Sequence, residues 1–440
     1  MHPEASSATS PAALGPRIHS AHRIGHSIPS TIRPTVPWRP TATAEEGALT
    51  STPKAGPPVW AVGLLTALLA LGLLTAPAAG ARDGDFVHLW LGGHALLEHG
   101  GAALYDPATH LKLLSAAFDG APPAELWAGR NDHLGAFFYP PPMALFYAPL
   151  GGLAVHLAGT IHAVLSFLGI TAAGVVLGRW SRLGAVFTLL VLLTTPALFH
   201  NHVLGQNGGW VVVLLALAGL LLVRRHDLPA GLLLGLLLCK PSWLLAVGWV
   251  PFVLRRWRTV GGMVAGVGIV AVVSALFTGL GSWYAWLALA PDLAALSRAG
   301  DYPLHLQYSL WGLGRRVLGL GTPGDLLGGA LSIGIFAATA WRIVRTRAPV
   351  AHQLALALCA ASLVNPHLHP YDVTGGIFAL AVLLAEPRTR RLGLVALLVH
   401  HGGQALEGLQ GSGLTIAPAT VGLLFTWAAL WARLDRADHP

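Results

Sequence analysis

Apolar residues along this chain come in long blocks rather than in alternation. The first block runs from Val59 to Ala79, and others recur to the C-terminus. A run of about 17–25 apolar residues can cross the hydrocarbon of a bilayer as a helix. Strands of a membrane barrel would instead alternate apolar and polar positions, and backbone groups in lipid must be paired internally. The pattern therefore predicts an all-α, polytopic transmembrane fold of roughly ten to thirteen helices, short re-entrant ones included. Composition agrees: of 440 residues, 54% are apolar and only 10% charged, against about 25% charged in a soluble domain.

Polar segments then divide the chain. Residues 1–57 are rich in Ser, Thr, Pro, Ala and His without apolar periodicity. They cannot bury enough surface to offset ordering entropy, so they are expected to form a disordered cytoplasmic tail. Residues 58–436 are expected to form one transmembrane domain. The Ala-rich end of the first block resembles a signal-peptidase site, but tail and block are both too long for an ordinary signal peptide, so an uncleaved anchor is expected. Residues 82–138 form the longest polar stretch after the tail, read as a first outer loop with amphipathic pieces (His88 to His99 and Ala108 to Phe118) lying in the interface plane. The run from Phe137 through Pro140-Pro141-Pro142 to Leu153 begins as a proline-started helix should. It is short enough to be re-entrant.

Charge changes the picture by setting orientation. The formal net charge is +8, and the basic residues are clustered: Arg179/Arg182, Arg224/Arg225, Arg255/Arg256/Arg258, Arg342/Arg345/Arg347, Arg388/Arg390/Arg391 and Arg433/Arg436. If all are cytoplasmic, the chain must cross and return between successive clusters. The far turns are then His200 to Asn207, Cys239 to Trp243, Gly281 to Gln307, Asn365 to Asp372 and Glu407 to Gly413, where the polar side chains collect. Arg315/Arg316 fit this scheme less well. Leu228 to Leu254 cannot be one straight span, because Lys240-Pro241 breaks it. Facing lipid at mid-bilayer, Lys240 would cost about 2.5–3.5 kcal/mol, so it is expected to face a protein cavity. No soluble segment interleaves aromatic and basic residues, which excludes nucleic-acid binding. Cys239 and Cys359 lie in apolar runs and read as small hydrophobes, with no disulfide framework.

The candidate chemistry lies on that outer face. Asp85, in Asp83-Gly84-Asp85-Phe86-Val87-His88-Leu89-Trp90, is a candidate general base; its structural alternative is a helix N-cap. Lys240, His367 and His369 are candidates to hold a phosphate leaving group. Tyr139, Gln206, Asn207 and Gln307 join them as donor-binding candidates, and Asp83, His88, Trp90, Tyr371 and Asp372 as acceptor-side or secondary positions. Gln206-Asn207 could instead cap the helix from Gly208, and Asn365 and Asp372 could simply frame a proline-bounded turn. His367-x-His369 is a weak metal signal, since residues two apart on a strand point to opposite sides; no metal and no cofactor are expected. A carboxylate to deprotonate a hydroxyl, with cations for a phosphate, suits glycosyl transfer from a lipid-linked sugar phosphate.

Six motifs in order carry a family resemblance: Asp85-Phe-x-x-x-Trp90 with Leu104-Tyr-Asp-Pro107; Phe138-Tyr-Pro-Pro-Pro142 with Ala148-Pro149-Leu150; Gly205-Gln-Asn207; Lys240-Pro241; Gln307-Tyr-Ser-Leu-Trp311-Gly; and His367-Leu-His369-x-Tyr371-Asp372. Together, over about residues 60 to 430, the chain resembles glycosyltransferase family 87, which includes polyprenol-phosphate-mannose-dependent α-mannosyltransferases of actinobacterial lipoglycan synthesis. The resemblance implies a GT-C fold and inverting transfer from a β-linked polyprenyl phosphate to a glycolipid or glycan hydroxyl, in the plasma membrane with the site on the extracytoplasmic face. It maps the family's base onto Asp85 and its phosphate-side histidine onto His367 or His369. Leu89 departs from the aromatic usual there. The alternative expectation is a transporter or flippase of a lipid-linked or polar substrate, which would place its ionisable residues near the midplane and often shows internal repeats.

Overall fold

The computed structural model describes residues 85–118, 137–298, 304–410 and 417–438. The tail, the Val59 to Ala79 block and Asp83 lie outside them. Helices follow one another almost without interruption, and no strand occurs among the described residues. The fold is all-α and polytopic. In chain order the helices are α1 (Phe86–His99), α2 (Pro107–Ala117), α3 (Pro141–Gly151), α4 (Val155–Ser181), α5 (Ala185–Leu193), α6 (Pro196–Val203), α7 (Gly208–Val223), α8 (Asp227–Gly235), α9 (Pro241–Gly248), α10 (Val250–Val253), α11 (Trp257–Thr278), α12 (Leu280–Ala288), α13 (Ala290–Leu296), α14 (Leu310–Leu318), α15 (Thr322–Arg345), α16 (Val350–Val364), α17 (Gly375–Ala385), α18 (Arg390–Gln410) and α19 (Pro418–Asp438). Segments outnumber the ten to thirteen expected because prolines and loose turns divide single crossings.

Among the described residues α4, α11 and α15 are each long and apolar enough to cross a membrane, and α5 with α6 would make a fourth crossing bent by 64°. Large apolar side chains on α11 face outward, Leu276 being 77% exposed; on a chain of this composition such a surface belongs against lipid. By contrast α16 and α17 are central, with Leu354 to Leu363 and Gly375 to Leu384 buried. The break at Lys240 is present: α8 passes into a 3-10 turn over Leu236–Cys239, and α9 begins at Pro241.

The arginine clusters and the polar turns occupy opposite ends of the helices. From Asn207, α7 runs to Arg224/Arg225, while α16 returns from Arg347 to Asn365; α17 then leads from Asp372 toward Arg388, and α19 ends at the Arg433 cluster. The non-glycine residues with positive φ among those described are Arg182, Arg225 and Arg255. Each terminates a helix, where a cation also interacts favourably with the C-terminal dipole. Arg315 and Arg316 sit at the polar end, paired there: Arg315 with Asp325 at 2.6 Å and Arg316 with buried Glu407. Both arginines are thus held inside the protein by carboxylate partners.

One feature departs from expectation, and a second lay outside any expectation. The stretch read as an interfacial helix from His88 is α1, and Phe86 to Gly93 and Ala95 are buried in protein, chiefly against α3. It becomes exposed only from Leu97 to His99. The second is the closest helix pairing, α8 on α11, which rests on two small-residue repeats, Gly231/Gly235 and Gly262/Gly266. A Cβ on Gly262 would lie 2.4 Å from the Leu228 carbonyl oxygen, and one on Gly231 would lie 2.1 Å from that of Thr259. Such contact lets membrane helices approach closely where no hydrophobic force joins them. Gly262→Leu is expected to lower stability by about 1–3 kcal/mol through forced separation. Gly261→Leu, in open space, should be neutral. Thermal unfolding of the two variants in detergent checks this; equal effects would mean that the contact is unimportant.

Candidate active site

Asp85 occupies the N-cap position of α1, but its side chain makes no capping bond. The carboxylate instead accepts from Gln206, with Nε2 2.6 Å from Oδ2. The same Nε2 lies 3.3 Å from the Tyr139 hydroxyl. Chain geometry makes this meeting possible. The Phe86 N–H donates to the Leu204 carbonyl at 3.1 Å. Gly205 follows at φ +63, where a Cβ would stand 2.5 Å from that of Phe86, so glycine suits the position on both counts. Tyr139 is held in turn by Tyr105, whose hydroxyl donates to its carbonyl at 2.7 Å, and it stacks on Phe138 at 4.9 Å. Asp106, next to Tyr105, caps α2 by accepting from the Thr109 N–H at 3.1 Å.

Lys240 faces protein and polar partners. Its ammonium donates to Asp372 Oδ1 at 2.5 Å and to Asn207 Oδ1 at 2.8 Å, and it lies 5.2 Å from the centre of the Tyr371 ring. Trp243 Nε1 is 3.4 Å from the same Asp372 oxygen. Asp372 is 1% exposed, so its charge requires this pairing. Asn207 stands at the N-cap of α7 without capping it; its side chain is spent on Lys240. Neither Asp85 nor Asn207 therefore behaves as the helix cap that a local reading allows. Adjacent residues of one turn reach in two directions, Gln206 to the carboxylate and Asn207 to the ammonium.

The Asn365 to Asp372 segment is a loop and a 3-10 turn, not a strand. Asn365 Oδ1 accepts from the His367 N–H at 3.0 Å, a local turn that asparagine favours. As a result the two histidine rings meet edge-to-face, with centres 4.3 Å apart. This overturns the expectation that residues two apart would point to opposite sides. His369 stacks on Tyr371 at 5.4 Å. Among the described residues no three His, Cys, Asp or Glu side chains assemble as a metal site. Gln307 is buried beside this loop, and the Tyr308 N–H donates to the Leu368 carbonyl at 2.9 Å. Ser309 caps α14.

His367 is exposed; the protein packed around it and the nearby Lys240 and Arg315 lower its protonation, Asp372 opposes them, and solvent screens the effect. Burial holds His369 lower still, helped by His367 and Lys240. The unfolded chain takes up these protons near pH 6.5 while the folded protein resists them. Their contribution to stability is full above that pH and is lost as pH falls toward the folded values. Unfolding followed between about pH 7.5 and 5 should show declining stability, and His367→Gln with His369→Gln should flatten the slope. An unchanged slope would remove both rings from the account.

Other expected positions lie elsewhere. Trp90 donates to the Leu153 carbonyl at 3.0 Å and stacks on His94 at 4.6 Å, tying α1 to the end of α3. His88 is buried against Phe138, with ring centres 5.7 Å apart. Neither is joined to the carboxylate by these contacts. Trp243, the Arg315–Asp325 pair and the tyrosine anchor Tyr105 were given no role from sequence; only the Leu104-Tyr-Asp-Pro107 motif hinted at the last.

The sequence profile of glycosyltransferase family 87 matches residues 137–366, just over half of the chain. The match includes Tyr139, Gln206, Asn207, Lys240 and Gln307; Asp85 lies before it, and the His367 to Asp372 segment begins directly after it. Searches of curated proteins and of solved structures gave no match. With the profile laid over the turns that meet at the polar end, the transporter alternative gives way, and the chain belongs to glycosyltransferase family 87.

Proposed function

We propose that this membrane glycosyltransferase moves a hexose, mannose by the family resemblance, from a polyprenyl phosphate to a hydroxyl of a glycolipid or glycan. In this reading Asp85 is the general base. The acceptor hydroxyl attacks the anomeric carbon and its proton passes to the Asp85 carboxylate. The bond from that carbon to the phosphate oxygen breaks, and its electron pair leaves with the polyprenyl phosphate. Attack from the face opposite the leaving group inverts the β-linkage. Lys240 and a histidine of the 367–369 pair lie on the phosphate side, with Tyr139 and Gln307 toward the sugar. The reaction faces the extracytoplasmic side of the plasma membrane, the arginine end being cytoplasmic.

The observation that carries this reading is the convergence of Asp85 and Lys240 on one dipeptide at the polar end, away from the arginine clusters. A base and a cation held by adjacent side chains suit a reaction that must take a proton at one centre and stabilise a departing phosphate at another. Since Lys240 is paired with Asp372, an arriving phosphate would share its ammonium rather than find it unpaired. The test is transfer of labelled mannose from polyprenyl-phosphate-mannose into a lipid extract by purified protein. Product from this donor supports the reading and reveals the acceptor. Transfer from another polyprenyl-phosphate sugar alone would change the sugar, and transfer from a nucleotide sugar alone would overturn the donor class.

A further inference from the structure

Gln206 makes more contacts than a ligand-binding glutamine would have to spare. It is 2% exposed. Its Nε2 donates to Asp85 and faces the Tyr139 hydroxyl, while its Oε1 accepts from the Asn207 N–H at 3.3 Å. An ionised carboxylate can only accept and a backbone N–H can only donate, so these partners fix which end of the amide points where. The turn is braced from behind as well: the Gln206 N–H donates to the Asn201 carbonyl at 2.9 Å, and Asn201 Oδ1 accepts from the Gly209 N–H at 3.1 Å. A side chain committed in this way is poorly placed to bind the donor, the role that its position in the sequence first invited.

We propose that Gln206 is the positioning residue of the base: it fixes the orientation of the Asp85 carboxylate and stabilises the ionised form through its amide. Asn207, the next residue, holds Lys240, so one turn sets where base and cation stand relative to each other. The proposal rests on the reading of Asp85 as the base. A hydrogen bond to the charged form favours that form, and bonds to an ionised partner are the stronger kind. Among the described residues, other titratable groups carried by elements around Asp85 include His88, Tyr105, Tyr139, Tyr147, His162, His202, Cys239 and Lys240. All are retained in the Gln206 variants, so their effects cancel in the comparison.

The test uses the full chain in lipid nanodiscs with Gln206→Met, Gln206→Glu and Asp85→Asn. Infrared difference spectra follow the protonated-carboxyl band that Asp85→Asn removes, which titrates Asp85 without turnover. With Gln206→Met that titration should move up by about one pH unit, and with Gln206→Glu further, because like charges oppose ionisation. Turnover on polyprenyl-phosphate-mannose should fall about tenfold in Gln206→Met as the carboxylate loses its fixed orientation, and further at pH values below the shifted titration, with KM for the donor within about twofold. A titration that stays in place, or a raised KM with intact kcat, would make Gln206 a donor ligand and overturn the proposal. If Asp85→Asn keeps its activity, the base reading fails separately, and the infrared titration still reports on the Gln206 contact. Because Gln206→Glu preserves shape, a folding defect in Gln206→Met does not decide the result.

Discussion

Asp85→Asn is expected to lower sugar transfer by about 10²–10⁴ while leaving the protein folded. A general base typically contributes that factor, which corresponds to roughly 3–5 kcal/mol of barrier. The substitution is informative because it separates chemistry from architecture. An amide oxygen at this position can still accept from Gln206 Nε2, and Phe86 still donates its backbone N–H to Leu204. The start of α1 makes no use of the Asp85 side chain as a cap, so no capping energy is lost. Thermal unfolding of the variant should match wild type to within about 1 kcal/mol, the ordinary net worth of one hydrogen bond. The measurement is initial rate under saturating donor and acceptor, beside the unfolding curve. Loss of rate together with loss of fold would point to a structural aspartate. Retained rate with an intact fold would remove Asp85 from the mechanism.

The second large effect concerns the Lys240–Asp372 pair. Removing one partner of a buried ion pair leaves a charge without compensation, at a cost of about 3–5 kcal/mol. Asp372 is the more deeply buried of the two, 1% exposed against 11% for Lys240. Lys240→Met should therefore destabilise strongly by stranding the carboxylate beside Trp243. Adding Asp372→Asn removes that charge and should restore much of the stability, because the pair itself need contribute little net energy once desolvation is counted. Activity should not return with stability, since the cation proposed to meet the phosphate is still missing. A double-mutant cycle read by both unfolding and transfer rate separates the two roles. Full recovery of transfer in the double variant would show that Lys240 serves only to hold Asp372. An additive pattern, with no coupling in unfolding, would mean that the pair does not form in the membrane.

Several correct sequence inferences share one physical basis. Lys240 in apolar sequence had to have a polar partner, because an ammonium in lipid is costly whatever the fold. Proline after it had to break the helix, since it lacks an N–H and clashes with the preceding turn. The spacing of arginine clusters placed the polar turns together because membrane thickness and charge asymmetry act on each crossing separately. Each of these follows from local or one-dimensional constraints. The GxxxG spacing of Gly231/Gly235 and Gly262/Gly266 was also present to be read, although which helices it would join was not.

What escaped the sequence depended on distant partners. Asp85 and Asn207 both stand where helix caps belong, and their composition favours that role; only the arrival of Gln206 from 121 residues away, and of Lys240 from 33 away, turns them to other partners. The His367–His369 contact likewise needed the turn that Asn365 closes, since alternation holds only for a strand. By itself, then, the sequence determined the class of fold, the ends of the molecule and the residue types that would meet, because bilayer energetics constrain every segment independently. Tertiary structure alone decided which polar group pairs with which, because a buried side chain takes the partner that packing brings within about 3 Å, however far away that partner lies in the chain.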